Sequence, residues 1–167
     1  MNDTNNTAAA PTNENSAANA QFSMKKLYVK DVSFEVPNAP EVFTQEYKPE
    51  IQMEMNSKSR STGENEYEVD LSVSLTAKQG EQTIFVVEVQ QAGIFEIQGV
   101  DEINMRHTLS AYCPTILFPY VRETVSNLVS RGGFPSLLLA PVNFDQLFLS
   151  QIQKEQEEAG TTSETEQ

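Results

Sequence analysis

The chain has no tryptophan, one cysteine, one histidine and only seven glycines among its 167 residues. A single cysteine, Cys113, excludes an intrachain disulfide and fits a reducing compartment. A single histidine, His107, excludes a multi-histidine metal site. Basic residues are also scarce: 11 Lys and Arg stand against 24 Asp and Glu, a net charge of −13. Asp3, Glu14, Glu155, Glu157, Glu158, Glu164 and Glu166 belong to termini without a base, yet acids still outnumber bases in the body. A chain so charged is a poor polyanion binder, which argues against nucleic acid and anionic lipid as partners. No apolar run approaches the roughly 20 residues that span a bilayer. The N-terminus shows no basic-then-apolar leader pattern, so a cytoplasmic location is expected.

Large apolar residues are missing from 1–21, and 155–167 is acidic and polar. Both are expected to be disordered, an N-terminal extension and an acidic tail around a single folded domain over 22–154. Within it, 26–36 reads as a strand with Tyr28, Val32, Phe34 and Val36 on one face, Lys30 as the exception, and Asp31, Ser33 and Glu35 on the other. Pro37 and Pro40 end it. A short strand is expected over 51–55, followed by a polar connection. The clearest strand is 67–77, where Tyr67, Val69, Leu71, Val73, Leu75 and Ala77 alternate with polar residues. Gly80 suits a hairpin turn into a fourth strand over 82–97, in which Gly93 marks a bulge or a close approach.

Helices follow: one over 101–112, one after Pro114 that stops at Gly132-Gly133, and a last one capped by Asn143. The order, strands and then helices, predicts an α+β fold: a four-stranded antiparallel sheet with helices packed on one face. Its apolar content exceeds what one small layer needs, which points to oligomerisation or a binding groove.

Chemistry is hard to find. His107 and Cys113, six apart, do not share a helix face, and Cys113 reads as a packing residue. No glycine-rich phosphate loop is present. Neither a catalytic residue, nor a metal site, nor a cofactor is expected. Asp31 and Glu35 share one strand face, and Glu88 lies beside Val86 on the less apolar face of another. Together they could form an acidic patch around an apolar centre, suited to a basic partner; a merely solvated face is the plain alternative. The methionines and aromatics could form an adaptable groove for unfolded apolar segments, or ordinary core.

The segments YVKDVSFEVPNAP (28–40), EVQQAGIF (88–95), AYCPTILFPYVRE (111–123), SRGGFP (130–135) and LAPVNFDQLF (139–148) resemble the bacterial SecB protein-export chaperones. The resemblance spans essentially 22–152. It implies a cytoplasmic homotetramer, a dimer of dimers, that hydrolyses nothing. Such a chaperone holds exported precursors unfolded and delivers them to the SecA translocation ATPase, without membrane insertion. It implies that the zinc-bearing C-terminal tail of SecA docks at Asp31, Glu35, Val86 and Glu88, the metal belonging to the partner. It implies a client groove, assigned here to Phe43, Tyr47, Met53 and Met55, with Leu138 and Phe144. Two alternatives stay open: a SecB-like chaperone of a toxin–antitoxin pair, and a small α+β acyl-thioester enzyme.

Overall fold

The computed structural model describes residues 20–162; the N-terminal extension up to residue 19 and the last five residues of the tail lie outside the described residues. Strands β1 (Gln21–Glu35), β2 (Glu50–Gly63), β3 (Glu66–Gln79) and β4 (Gln82–Gln98) form one antiparallel sheet in the order β1-β4-β3-β2. The alternation of β3 and β4 divides the sheet cleanly. Val69, Leu71, Val73, Leu75, Val87, Val89 and Phe95 point to one side and are completely or almost completely buried. The other side carries Glu68, Asp70, Ser72, Ser74, Thr76, Val86, Glu88 and Gln90, and is called the outer face below.

The β3–β4 hairpin turns at Gly80, whose φ of +60° is open to glycine at little cost. Gly93 is a close approach rather than a bulge in its own strand. A Cβ there would lie 2.8 Å from the Phe95 ring and 3.2 Å from the Lys26 carbonyl. In the pairing of β1 with β4 the bulges lie in β1, where Lys25 and Lys30 are skipped. The skip at Lys30 corrects the expected face of Tyr28. Tyr28 pairs with Ala92 on the outer face, whereas Val32 and Phe34 pair with Val89 and Val87 on the inner one. Asp31, Ser33 and Glu35 do stay together, outward.

β2 is much longer than expected, because the polar stretch 56–63 continues as strand. Backbone pairing to β3 and ion pairs such as Arg60 to Glu68 hold it where side-chain burial does not. Such polar, charged edge strands also resist edge-to-edge association.

Helices α1 (Glu102–His107) and α2 (Cys113–Arg131) are joined without a break by a π-helical turn over Thr108–Tyr112. Asp101 caps α1 through the Asn104 amide at 2.9 Å. The expected boundary before Pro114 does not interrupt the helix. In the wider turn the Cys113 amide reaches the Thr108 carbonyl, so the chain enters the proline segment with looser winding. α2 buries Leu117, Val121, Val125 and Val129 against β4 and β3. It stops where Gly132 bonds back to Leu128 and Gly133 takes a φ of +89°.

The third helix, α3 (Phe144–Thr162), begins with Asn143 accepting the Gln146 amide at 3.0 Å. It packs on the π turn rather than on the sheet, with Phe144 edge-on to Phe118 and Phe148 edge-on to His107. Residues 155–162, expected to belong to a disordered tail, continue this helix. Glu155 there pairs with Arg106 of α1.

Candidate functional site

Three rows of side chains cross the outer face. Glu35, Val86, Thr76 and Gln52 form the first; Ser33, Glu88, Ser74 and Glu54 the second; Asp31, Gln90, Ser72 and Asn56 the third. All four residues of the expected acidic patch therefore lie on one surface: Asp31 and Glu35 from β1, and Val86 and Glu88 from the adjoining β4. Small hydroxyl residues floor a trough of about 380 Å³ between acidic walls, Asp31 and Glu88 on one side and Glu54 on the other. Glu54 was missed in sequence because β2 was read as a short strand serving its apolar parity. Alternation with Met53 and Met55 is the signal that places it outward.

Asp31, Glu35, Glu54 and Glu88 have no ion-pair partner among the described residues. The neighbouring acids on the same face are treated differently. Glu68 and Asp70 are buried, 4% and 7% exposed, and each is satisfied. Tyr28 and Arg60 both donate to Glu68, and Lys30 lies 3.3 Å from it and 3.0 Å from Asp70. Gln90 donates to Asp70 at 2.6 Å and Ser72 at 3.3 Å. The Tyr28 hydroxyl, then the Arg60 and Lys30 cations, hold the Glu68 carboxyl down to about 2 against its desolvation. The Lys30 ammonium is raised, chiefly by its bond to Asp70. Buried acids are thus compensated internally, and the unpaired carboxylates sit on the exposed part of the face.

The expected client residues are divided by the fold. Phe43 and Tyr47 stack on Phe134 with ring centroids 5.1 and 5.7 Å apart, and Phe134 packs on Phe85 at 5.2 Å. Phe43 stays 50% exposed, so the cluster has a buried base and an open top. Phe134 is the member that sequence reasoning missed; it stood in an apolar connector without periodicity. Met53 and Met55 are on the inner side of β2, beyond the full cover of the helices. Met53 is exposed beside Ile51, and Met55 is half-buried against the core. Leu138 is exposed but borders a separate depression with Pro119, Arg122 and Asn127. Phe144 is not presented at the surface: α3 turns its ring inward onto Phe118, leaving 5% exposed. A further apolar edge, also unanticipated, runs along inward-facing β1 through Phe22, Met24, Val29 and Val32.

Burial pushes the Cys113 thiol up to about 12, which suppresses the thiolate that nucleophilic chemistry needs. His107 bonds instead to Asp145 at 2.7 Å. Among the described residues no group of three or more His, Cys, Asp or Glu could hold a metal ion, and no helix is long and apolar enough to cross a membrane.

Residues 15–155 match the family model of SecB, the preprotein translocase subunit. The protein-export protein SecB of Azotobacter vinelandii is 53% identical over 147 residues, covering 86% of this chain and 90% of that one. That of Pseudomonas fluorescens is 49% identical over 162 residues, covering 97% and 99%. Among solved structures, a Mycobacterium tuberculosis SecB-like chaperone bound to a ChAD peptide from the HigA1 antitoxin matches with a TM-score of 0.58. It is 19% identical and covers 72% of this chain and 87% of that one, a likeness of fold.

Proposed function

From the premise that this chain belongs to the SecB family of protein-export chaperones, we propose that it is an ATP-independent holdase. It keeps precursors of exported proteins unfolded and delivers them to the SecA ATPase. The observation that carries this reading is the division of one sheet into two kinds of exposed surface. Carboxylates without an ion-pair partner among the described residues occupy the outer face, and exposed apolar side chains occupy the helix side and both edge strands.

The outer face suits the basic, zinc-bearing C-terminal tail of SecA. Asp31, Glu35 and Glu88 supply charge, Val86 a small apolar contact, and Glu54 extends the acidic wall across β2. The zinc belongs to that tail, so this chain supplies no metal ligands and needs no cofactor. The helix side suits unfolded clients. Phe43 and Tyr47 over Phe134, together with Met53 and Met55, present adaptable apolar surface without a shaped pocket. Each contact is weak. Four copies in a cytoplasmic homotetramer, a dimer of dimers, would multiply them through effective concentration. Homotetramer assembly would also cover part of the apolar β1 edge.

Membership in a chaperone family sets the acyl-thioester enzyme aside. The antitoxin-bound structure shares the fold at 19% identity, whereas the export proteins are 49% and 53% identical, so general export is the reading favoured over a toxin–antitoxin role. The test is a double dissociation. Asp31→Lys with Glu35→Lys should abolish binding of a zinc-loaded SecA tail peptide and leave capture of an unfolded precursor intact. Met53→Arg should do the reverse. Loss of both activities in either variant would show that the two surfaces are one.

A further inference from the structure

We propose that Lys30 is a positioning residue for the docking face. As the extra residue of a β-bulge, fastened across the sheet to Asp70 and Glu68, it makes Asp31 and Glu35 point outward. The inference rests on the docking role given above to those two carboxylates.

Side chains on a strand alternate, so a slip of one residue exchanges the two faces of everything beyond it. In β1, Val29 pairs with Gln91 on the inner face and Asp31 pairs with Gln90 on the outer face; Lys30, between them, is skipped by the strand register. Lys30 and Asp31 therefore follow each other on the same side. Remove the extra residue, keep the N-terminal half in place, and Asp31, Ser33 and Glu35 would turn toward the helices. Val32 and Phe34 would turn toward solvent.

What holds the bulge is specific. The Lys30 ammonium lies 3.0 Å from Asp70 and 3.3 Å from Glu68, two buried acids on β3. Asp70 also accepts from Gln90, the residue paired with Asp31. A continuous set of polar contacts thus runs from the bulge to the neighbour of the docking carboxylate. The strand repeats the device at Lys25, the other skipped residue, which lies 3.2 Å from Glu66 and 3.3 Å from Glu96. There the lysine relieves two carboxylates paired directly across strands. Bulges that re-aim side chains are features of sheet edges.

Charge alone predicts the opposite of this role. Lys30 is a cation next to a surface meant for a basic peptide, and removing it would strengthen attraction if electrostatics decided. In the full-length Lys30→Met chain, which keeps the aliphatic stem, fluorescence anisotropy with a zinc-loaded SecA tail peptide should show binding about tenfold weaker, within the range of coupled neighbours. Capture of an unfolded precursor should be unchanged. Affinity that is unchanged or higher overturns the proposal. The double variant Lys30→Met with Asp70→Leu removes the acid that would otherwise be left buried and unpaired. It should regain thermal stability while peptide binding stays weak; binding restored along with stability would also overturn the proposal. Failure of the docking reading itself is distinguishable, since the unmodified chain would then not bind the peptide.

Discussion

Replacing Glu68 by glutamine keeps the shape of the side chain and removes its charge, in the middle of the outer face. The Tyr28 hydroxyl, the Arg60 guanidinium and the Lys30 ammonium hold this carboxyl at about 2 in the folded chain, against an ordinary 4.5. At roughly 1.4 kcal/mol for each tenfold change in proton affinity, the difference corresponds to about 3 kcal/mol at most. Arg60 is 68% exposed and its contribution is screened, so about 1–2 kcal/mol is the expected stabilisation. The folded value is depressed, so the contribution is present in full above pH 4.5 and is lost as the pH falls toward about 2. Glu68→Gln lacks it throughout. Urea unfolding at one fixed protein concentration should therefore separate the two chains by about 1–2 kcal/mol near neutral pH, with the gap closing toward about pH 2. Other carboxylates titrate in the same range, but they cancel in the difference. A gap that does not change with pH would show that glutamine disturbs packing rather than charge, and would refute the account of Glu68.

Two further substitutions probe the inner side. Phe134→Ala removes a 7% exposed ring from between Phe43, Tyr47 and Phe85 and should cost about 3–4 kcal/mol in urea unfolding; a loss below about 1 kcal/mol would mean that the loop carrying Phe43 and Tyr47 is not anchored there. Gly93→Ala places a methyl 2.8 Å from the ring of Phe95, which is fully buried and has no room to swing away. A loss of about 1–3 kcal/mol is expected, and an unchanged melting temperature would show that the Phe95 ring does not lie against Gly93.

What the sequence revealed by itself was local. The alternation of β3, the turn at Gly80, the cap at Asn143 and the stop at Gly132-Gly133 depend on residues within one turn or one strand, and each is found where it was expected. What it hid depends on partners distant in the chain. The serines and charges of 57–61 have no strand signature, and they are strand because β3 supplies the hydrogen-bonding edge. Lys30 was visible as an exception to a pattern, but whether such a residue is an outward polar intruder or an inserted one is decided by what pairs with its neighbours. Phe144 and Phe43 are both aromatic residues near turns, yet one is buried and one half-exposed, because Phe118 of α2 meets the first while the second stacks on Phe134 with its other side open. Asp31, Glu35, Val86 and Glu88, in contrast, were placed on one face by parity and family likeness, both of which survive misjudged strand ends.

The arrangement also constrains how a client could be handed over. β3 and β4 form the centre of the sheet, with their inner side chains buried and with Glu68, Asp70, Ser72 and Gln90 hydrogen-bonded or ion-paired on the outer side. Bound apolar segments bring little charge to the inner side, and the salt of a cell screens beyond about 8 Å. A tail peptide on the outer carboxylates would therefore have little direct electrostatic leverage on a client across the sheet. A ligand shifts another's binding only through states to which it binds differently, and the central strands offer no evident second packing. Under the proposed docking, release would be driven by SecA competing for the client while the tail holds it nearby, where tethering raises its effective concentration. The isolated tail peptide should then leave client affinity unchanged when measured with labelled precursor, whereas SecA carrying its tail should displace the client. Displacement by the peptide alone would require a conformational route through the sheet, and the edge strands with their bulges would be the place to look for it.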